Sequence, residues 1–390
     1  MTMLSQQQRI FFEFLRFCIG TVQEVPSSLK GADWRVLYAM ARKQCLVGVL
    51  FDGIKRLPAD VGMDKGLLFQ WMAQNQTLRK ANARLDKAAV EVAEWFGRKG
   101  FRTCVLKGQG NALLYPPGME RTPGDIDLWV DGEDRKVVSF VRSLSPDEKV
   151  CYHHIGFPEY NGVEVEVHFR PSFLFCFRHN RRLQGYYERV MDGQFAHRVK
   201  LGEQGEVAVP KAEFNLIFQL THIFTHLMNE GIGLRQLLDY FFLLKNTDLG
   251  GNTDGDGFLL NTDFTDNTDR IGGNADGVDR RLLQDELRRL GLWEFAGAVM
   301  YIMKEVFGLE DNRLIVPPDV KRGRLVLKEV LEAGNFGQYD KRNWFGHSAL
   351  GHNLQRLYRD MRLVRYFPEE ALSEPIFRIW HFFWRKSIVR

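Results

Sequence analysis

Asp125 and Asp127 stand two residues apart in the run Gly124-Asp125-Ile126-Asp127-Leu128-Trp129-Val130. In a β-strand successive side chains alternate faces, so the two carboxylates share one face while Ile126, Leu128 and Val130 share the apolar other. Their Cα atoms then lie about 6.5 Å apart, a separation from which the side chains converge on one or two hard divalent cations. That is the chemistry of phosphoryl and nucleotidyl transfer. A lone Asp-x-Asp says little, because acids alternate on the exposed face of many strands. Its surroundings narrow the reading. Cys104-Val105-Leu106 predicts a buried strand running into Lys107-Gly108-Gln109-Gly110 and then a helical 111–115. A strand, a glycine turn and a helix N-terminus make an anion cradle. Lys107 and Arg121 add the positive charge that a triphosphate requires around its metals.

A third acid is expected from a neighbouring strand, since two carboxylates seldom complete the coordination of a metal pair. Val163-Glu164-Val165-Glu166-Val167-His168-Phe169 alternates strictly, which puts Glu164, Glu166 and His168 on one face and the valines on the other. Taken alone, this strand reads most simply as a solvated face over a valine core. Beside Asp125 and Asp127, one of its glutamates becomes the candidate third ligand.

The elements that must hold these groups follow from periodicity and divide the chain into three. Residues 1–100 form an N-terminal helical module, with Phe11, Phe12, Phe14, Leu15 and Cys18 at helical spacing and a long amphipathic helix over 67–96. Residues 101–210 switch to short strand-like runs at 102–106, 125–130, 149–157 and 163–169, an α/β core. Asn161-Gly162 between the last two runs is a two-residue hairpin signal, so those strands are antiparallel neighbours. Residues 211–390 return to helical periodicity as a C-terminal module. The fold class is α+β, a mixed sheet flanked by helical modules.

One stretch breaks the last module. Residues 246–277 repeat Asn-Thr-Asp among many glycines, a low-complexity insertion that cannot bury a core. Its Asn252-Thr253-Asp254-Gly255-Asp256-Gly257 approaches a calcium-loop spacing, but Asn replaces the usual first Asp and Asp263 the usual bidentate Glu. Repeats of Asn, Asp and Gly produce such spacings by chance, and a solvated insertion is the simpler reading.

The 390 residues carry a net charge of only +4, with both signs mixed along the chain, which gives no bulk argument for a nucleic-acid binder. Five scattered cysteines without a CxxC pair fit a reducing compartment and argue against a disulfide framework or a zinc site. No signal peptide is read at the start, and no segment reaches the roughly 18 apolar residues of a spanning helix. A cytoplasmic protein is expected.

Further polar groups are candidates for a cleft. Asn215, Gln219, His222 and His226 form a stripe on an otherwise apolar helix. His222 and His226 have two-ligand spacing, yet the residues between them lack the Glu of a zinc-protease helix. Arg235 and Asp239, one turn apart, read most simply as an intrahelical pair bordering the same cleft. The aromatic and basic residues of 378–390 predict an aromatic face packed on the protein with a cationic C-terminal end.

Lys107-Gly108, Leu114-Tyr115-Pro116, Arg121, Gly124-Asp125-Ile126-Asp127-Leu128 and Glu166-Val167-His168 together resemble a largely uncharacterised bacterial nucleotidyltransferase family of the DNA polymerase β-like superfamily. The resemblance implies a nucleotidyltransferase fold, a pair of Mg²⁺ ions with Mn²⁺ as the alternative, and transfer of a nucleoside monophosphate from an NTP to an acceptor hydroxyl. It makes Asp125, Asp127 and Glu166 the metal ligands, with His168 beside them, and Gly108 the turn glycine. Lys107, Gln109 and Arg121 would contact the phosphates. The superfamily commonly has Gly-Ser or Gly-Gly at the turn, where this chain has Gly108-Gln109. The acceptor, whether a small molecule, an RNA end or a protein hydroxyl, is not written in the sequence. Two other readings stand beside this one. The first is an inactive relic of the fold that binds a nucleotide or a partner. The second is a nucleotide-sugar glycosyltransferase using Asp-x-Asp, against which the helical first hundred residues count.

Overall fold

A computed structural model describes residues 4–58, 61–250, 277–342, 345 and 348–389. Four helices come first: α1 (Gln6–Cys18), α2 (Trp34–Lys43), α3 (Val47–Ile54) and α4 (Lys65–Arg98). Ser5 opens α1 with a reciprocal capping box to Gln8, and the Asp64 carboxylate caps α4 by accepting from the Leu67 N–H. The chain then enters β1 (Thr103–Leu106), α5 (Gly108–Ala112), β2 (Ile126–Val130), α6 (Asp134–Leu144), β3 (His154–Tyr160) and β4 (Val163–His168). After α7 (Phe177–Ala196) and the small hairpin β5 (Arg198–Lys200) and β6 (Glu206–Ala208) come α8 (Ala212–Asn229) and α9 (Leu234–Asn246). Short strands β7 (Leu249–Gly250) and β8 (Val278–Asp279) pair in parallel, and α10 (Arg280–Arg289), α11 (Trp293–Glu305), α12 (Val320–Ala333), α13 (Ala349–Leu363) and α14 (Pro368–Ile388) complete the chain. The expected calcium-like spacing at 252–263 lies outside the described residues.

The α+β expectation holds, and the sheet at its centre is mixed. Its strand order is β1-β2-β4-β3, with β2 and β4 parallel and both outer pairs antiparallel. Asn161 and Gly162 both take positive φ, 52° and 75°, as a two-residue primed turn requires, and β3 and β4 pair antiparallel around them as expected. The third predicted strand is displaced. Residue 149 does not start it: Val150 bridges back to Ile155, and the Cys151 N–H donates to the His154 carbonyl, so the chain turns before β3 begins. The expected helix at 111–115 is also shifted. It is the single turn Gly108–Ala112, and Pro116 and Pro117 follow too closely for it to extend.

The two faces of the sheet separate apolar from chemical residues. Ile126, Leu128 and Val130 join Val163, Val165 and Val167 in a cluster with Ala89, Val92 and Phe96 of α4 and Val137 and Val141 of α6. The opposite face is covered as well. There Trp129 packs against Phe195 and Phe214, at ring-centroid distances of 4.7 and 5.6 Å, from α7 and α8. Asp127 is therefore not on a solvated face, being 2 % exposed, whereas Glu166 is half-buried and Glu164 is exposed. The larger cluster runs without a break from the helices of 6–98 to those of 280–388, so both sets of helices share one core. At the C-terminal end the aromatic run splits. Phe377 is buried and Trp384 partly so, but Phe382 and Phe383 of the expected packed face are exposed.

Candidate active site

Parallel pairing of β2 and β4 sets Asp127 directly opposite Glu166 and Trp129 opposite His168. Adjacent paired residues point to the same side, so the alternation of two strands brings the acids onto one face. Asp125 lies one residue ahead of β2, half-buried at its mouth. From the antiparallel neighbour, Leu106 pairs with Asp127, and the chain then swings out of β1 through two left-handed residues, Lys107 (φ 51°) and Gly108 (φ 37°). A Cβ on Gly108 would meet the Asp125 carbonyl oxygen at an ordinary 3.6 Å, so it is the positive φ, and not crowding, that favours glycine at this turn. The Lys107 ammonium lies 2.7 Å from Asp127 Oδ1 and donates to His222 Nε2 at 3.1 Å.

His168 occupies the centre. Its Nε2 lies 3.0 Å from Asp127 Oδ1 and 3.4 Å from Glu166 Oε2, and its Nδ1 lies 3.3 Å from the Pro171 carbonyl oxygen. Burial alone would depress this imidazole, but hydrogen bonds to the two carboxylates outweigh it and lift the group to about 9. Asp127 shows the reverse. Burial would raise its carboxyl, yet the Lys107 and His168 charges hold it well below the usual carboxylate range. Asp125 is raised, first by the negative charge of Asp127 and then by burial. Two carboxylates that repel each other in this way are where a bound cation lowers the energy most. Lys107 and His168 meet the same Asp127 oxygen as internal cations, and the mixed oxygen and nitrogen donors around them fit a divalent ion.

The polar stripe of α8 faces this cluster through α5. Asn215 and Gln219 both donate to Asn111 Oδ1, at 3.1 and 3.2 Å. His222 is pushed well below its ordinary value by burial and then by the Lys107 charge, which leaves a neutral ring to accept from the ammonium. His226 stacks edge-on with His222 at 4.2 Å between ring centroids and pairs with Glu230.

Three expected roles change with the geometry. Gln109 is 3 % exposed and its amide donates to Asp86 of α4, so its side chain is committed to the protein and does not present a phosphate contact. Arg121 is equally committed. Its Nε and Nη2 donate to the two oxygens of Asp239 at 2.8 Å each, and the Tyr115 hydroxyl donates to the same carboxylate at 2.6 Å. The intrahelical pair expected of Arg235 and Asp239 is therefore absent. Arg235 Nη1 instead donates to the carbonyls of Thr122 and Pro123, at 3.1 and 3.3 Å. Both residues of α9 grip the segment that leads into Asp125, and they act on the site as clamps.

Sequence reasoning missed His153 and His154. His154 Nδ1 lies 3.4 Å from Glu166 Oε2 and 3.1 Å from His153 Nε2, and His154 pairs with His168 across β3 and β4. Burial depresses both rings, His154 to about 4 and His153 well below its ordinary value. A plain two-residue hairpin closing on Tyr160 and Val163 would set Ile155 opposite His168. A register shift between Phe157 and Tyr160 moves the pairing by one residue and turns His154 to the site.

Among solved structures, an antigenic nucleotidyltransferase-like protein from Paracoccidioides brasiliensis is similar at 16 % identity, over 42 % of this chain and 76 % of that one. Its TM-score of 0.28 is too low to align individual elements. No curated protein matches the sequence. A family model described as uncharacterised nucleotidyltransferase matches residues 30–259, more than half of the chain and all of the sheet that carries the acids, and the protein belongs to that family.

Proposed function

We propose that the protein is a cytoplasmic, metal-dependent nucleotidyltransferase that moves a nucleoside monophosphate from an NTP to an acceptor hydroxyl and releases pyrophosphate. The observation that carries this reading is the register of β2 and β4. It sets Asp127 opposite Glu166, with Asp125 one residue ahead of the strand, in a member of a nucleotidyltransferase family.

Asp125, Asp127 and Glu166 would hold a pair of divalent cations, Mg²⁺ or Mn²⁺. When bound, such a pair neutralises the triphosphate and stabilises charge on the attacking and leaving oxygens. The chain's own residues supply the rest. Lys107, freed from Asp127 as cations enter, is placed to meet the phosphates from the turn beside Gly108. Arg121, Tyr115 and Arg235 keep the Asp125 segment in position through their contacts with Asp239 and the Thr122 and Pro123 carbonyls. The acceptor oxygen bonds to the α-phosphorus, the bond from that phosphorus to the bridging oxygen of the β-phosphate breaks, and the hydroxyl proton passes to the carboxylate set. Helix α8 would bound the acceptor side with His222 and His226, and Gln219, buried on Asn111, would brace α5 behind them.

The test is transfer of label from α-labelled NTPs across a panel of small-molecule hydroxyls, RNA ends and protein Ser, Thr and Tyr. Label transfer and pyrophosphate release should fall by at least about 100-fold in Asp125→Asn, Asp127→Asn and Glu166→Gln. Nucleotide binding without transfer on any acceptor would overturn the proposal in favour of a non-catalytic relic of the fold.

A further inference from the structure

Beyond the three carboxylates, the site presents an unbroken string of donor atoms. His153 Nε2 lies 3.1 Å from His154 Nδ1, which lies 3.4 Å from Glu166 Oε2. Glu166 Oε2 lies 3.4 Å from His168 Nε2, which lies 3.0 Å from Asp127 Oδ1. Each step falls in a narrow range that has a simple meaning. Metal–ligand bonds of about 2.1 Å separate neighbouring ligands by roughly 3.0 Å at right angles and roughly 3.4 Å at the tetrahedral angle. The ligand atoms of Asp127, Glu166 and His168 all lie within 4.8 Å of one another, and so do those of His153, His154 and His168.

The arrangement around His168 is that of a metal-binding histidine. Its Nδ1 sits on the Pro171 carbonyl, which keeps that nitrogen protonated, so a cation entering between Asp127 and Glu166 would displace the Nε2 proton and meet that nitrogen's lone pair. The ring is 1 % exposed, so that orientation is held by packing as well. On His153 the remaining nitrogen, Nδ1, is buried and has no hydrogen-bond partner.

Mg²⁺ rarely takes imidazole and keeps much of its water, whereas imidazole nitrogen suits the first-row transition ions. We propose that the position bounded by Asp127, Glu166 and His168, with His154 reaching it at Glu166, binds a first-row transition cation through imidazole nitrogen, beside an all-oxygen position at Asp125 and Asp127 that takes Mg²⁺. Asp127 is common to both. This rests on the reading of the three carboxylates as a metal site. It adds that the two positions differ in chemical hardness and are filled by different ions.

The full chain, stripped with a chelator and reloaded with Mn²⁺ in the presence of Mg²⁺, tests it by electron spin resonance without any substrate. Pulsed spectra should show ¹⁴N couplings of directly bound imidazole. His168→Ala and His154→Ala should weaken Mn²⁺ binding by at least about tenfold and remove couplings, while Mg²⁺ affinity changes far less. His154→Asn, on the more accessible edge strand, serves as the control for folding and should reproduce the loss with an unchanged melting temperature. Bound Mn²⁺ without ¹⁴N couplings, or histidine variants that bind Mn²⁺ as well as the parent, would overturn the proposal. The outcomes separate from those of the transfer assay. Couplings without transfer would leave this site standing and remove the enzymatic reading, and transfer without couplings would do the opposite.

Discussion

At the scale of single residues, the group that organises the approach to Asp125 is Asp239. Its carboxylate takes two hydrogen bonds from Arg121 and one from Tyr115, all buried. Removing one partner of a buried ion pair leaves the other charge without compensation, which costs about 3–5 kcal/mol. Asp239→Asn should therefore lose stability on that order in urea titration. Tyr115→Phe, which removes one hydroxyl donor, should lose only about 1 kcal/mol. Equal losses in the two variants would show that Arg121 finds another partner. Alternation put Asp125 and Asp127 on one face, but it left Glu164 and Glu166 both open; the choice of Glu166 came from the family resemblance, and the pairing of β2 with β4 sets that residue opposite Asp127. The Arg121–Asp239 pair was not legible in the sequence. Its partners stand 118 residues apart, and the sequence offered the nearer Arg235 in its place.

At the scale of elements, register and helix pairing decide what the site contains. Asn161-Gly162 predicted the β3–β4 hairpin correctly, but no residue signal marks the shift between Phe157 and Tyr160 that brings His154 forward. That irregularity is a tertiary outcome, in which Ile155 is buried in the valine cluster and His154 takes the opposite side. Pairing of α13 with α14 carries a second consequence. Asp360 and Glu374 are both buried there, with Arg356 and Arg378 on Glu374. Burial first, and the Glu374 charge next, push the Asp360 carboxyl up to about 8. The folded protein thus keeps a proton that the unfolded chain releases near pH 4. Stability from this group is complete below that range and is lost as pH rises through about 8. Asp360→Asn stays neutral throughout, so its melting temperature relative to the parent should climb between pH 5 and 9. A constant difference would show that Asp360 titrates normally.

For the whole molecule, the sheet depends on helices outside the stretch that defines the family. The matched residues end at 259, yet α8, which carries His222, is buried on nearly every side. Phe224 of α8 stacks on Phe295 of α11 at 4.3 Å and meets Phe367 at 5.1 Å. A helix buried on nearly every side has no solvent face to fall back on. A chain ending at residue 250 should therefore aggregate or lack a cooperative unfolding transition, as calorimetry and size-exclusion chromatography would report. A soluble, cooperative fragment would show that the sheet and α8 fold without the later helices. The switch from helical to strand-like runs near residue 101 was legible from the change of period. The shared core was not, since no local pattern says which helices meet.

Lys107 brings two demands into conflict at one position. Its φ of 51° and ψ of −136° suit glycine, and the ammonium that reaches Asp127 needs a long cationic side chain. A non-glycine residue held there costs of order 1–3 kcal/mol. Lys107→Ala and Lys107→Gly both delete the charge, but only glycine relieves the backbone. The glycine variant should therefore be the more stable of the two by roughly that amount, with both equally poor in nucleotide transfer. On that measure the turn holds a residue the backbone disfavours, and the difference between the two variants is the stability given up to place a positive charge beside the acids.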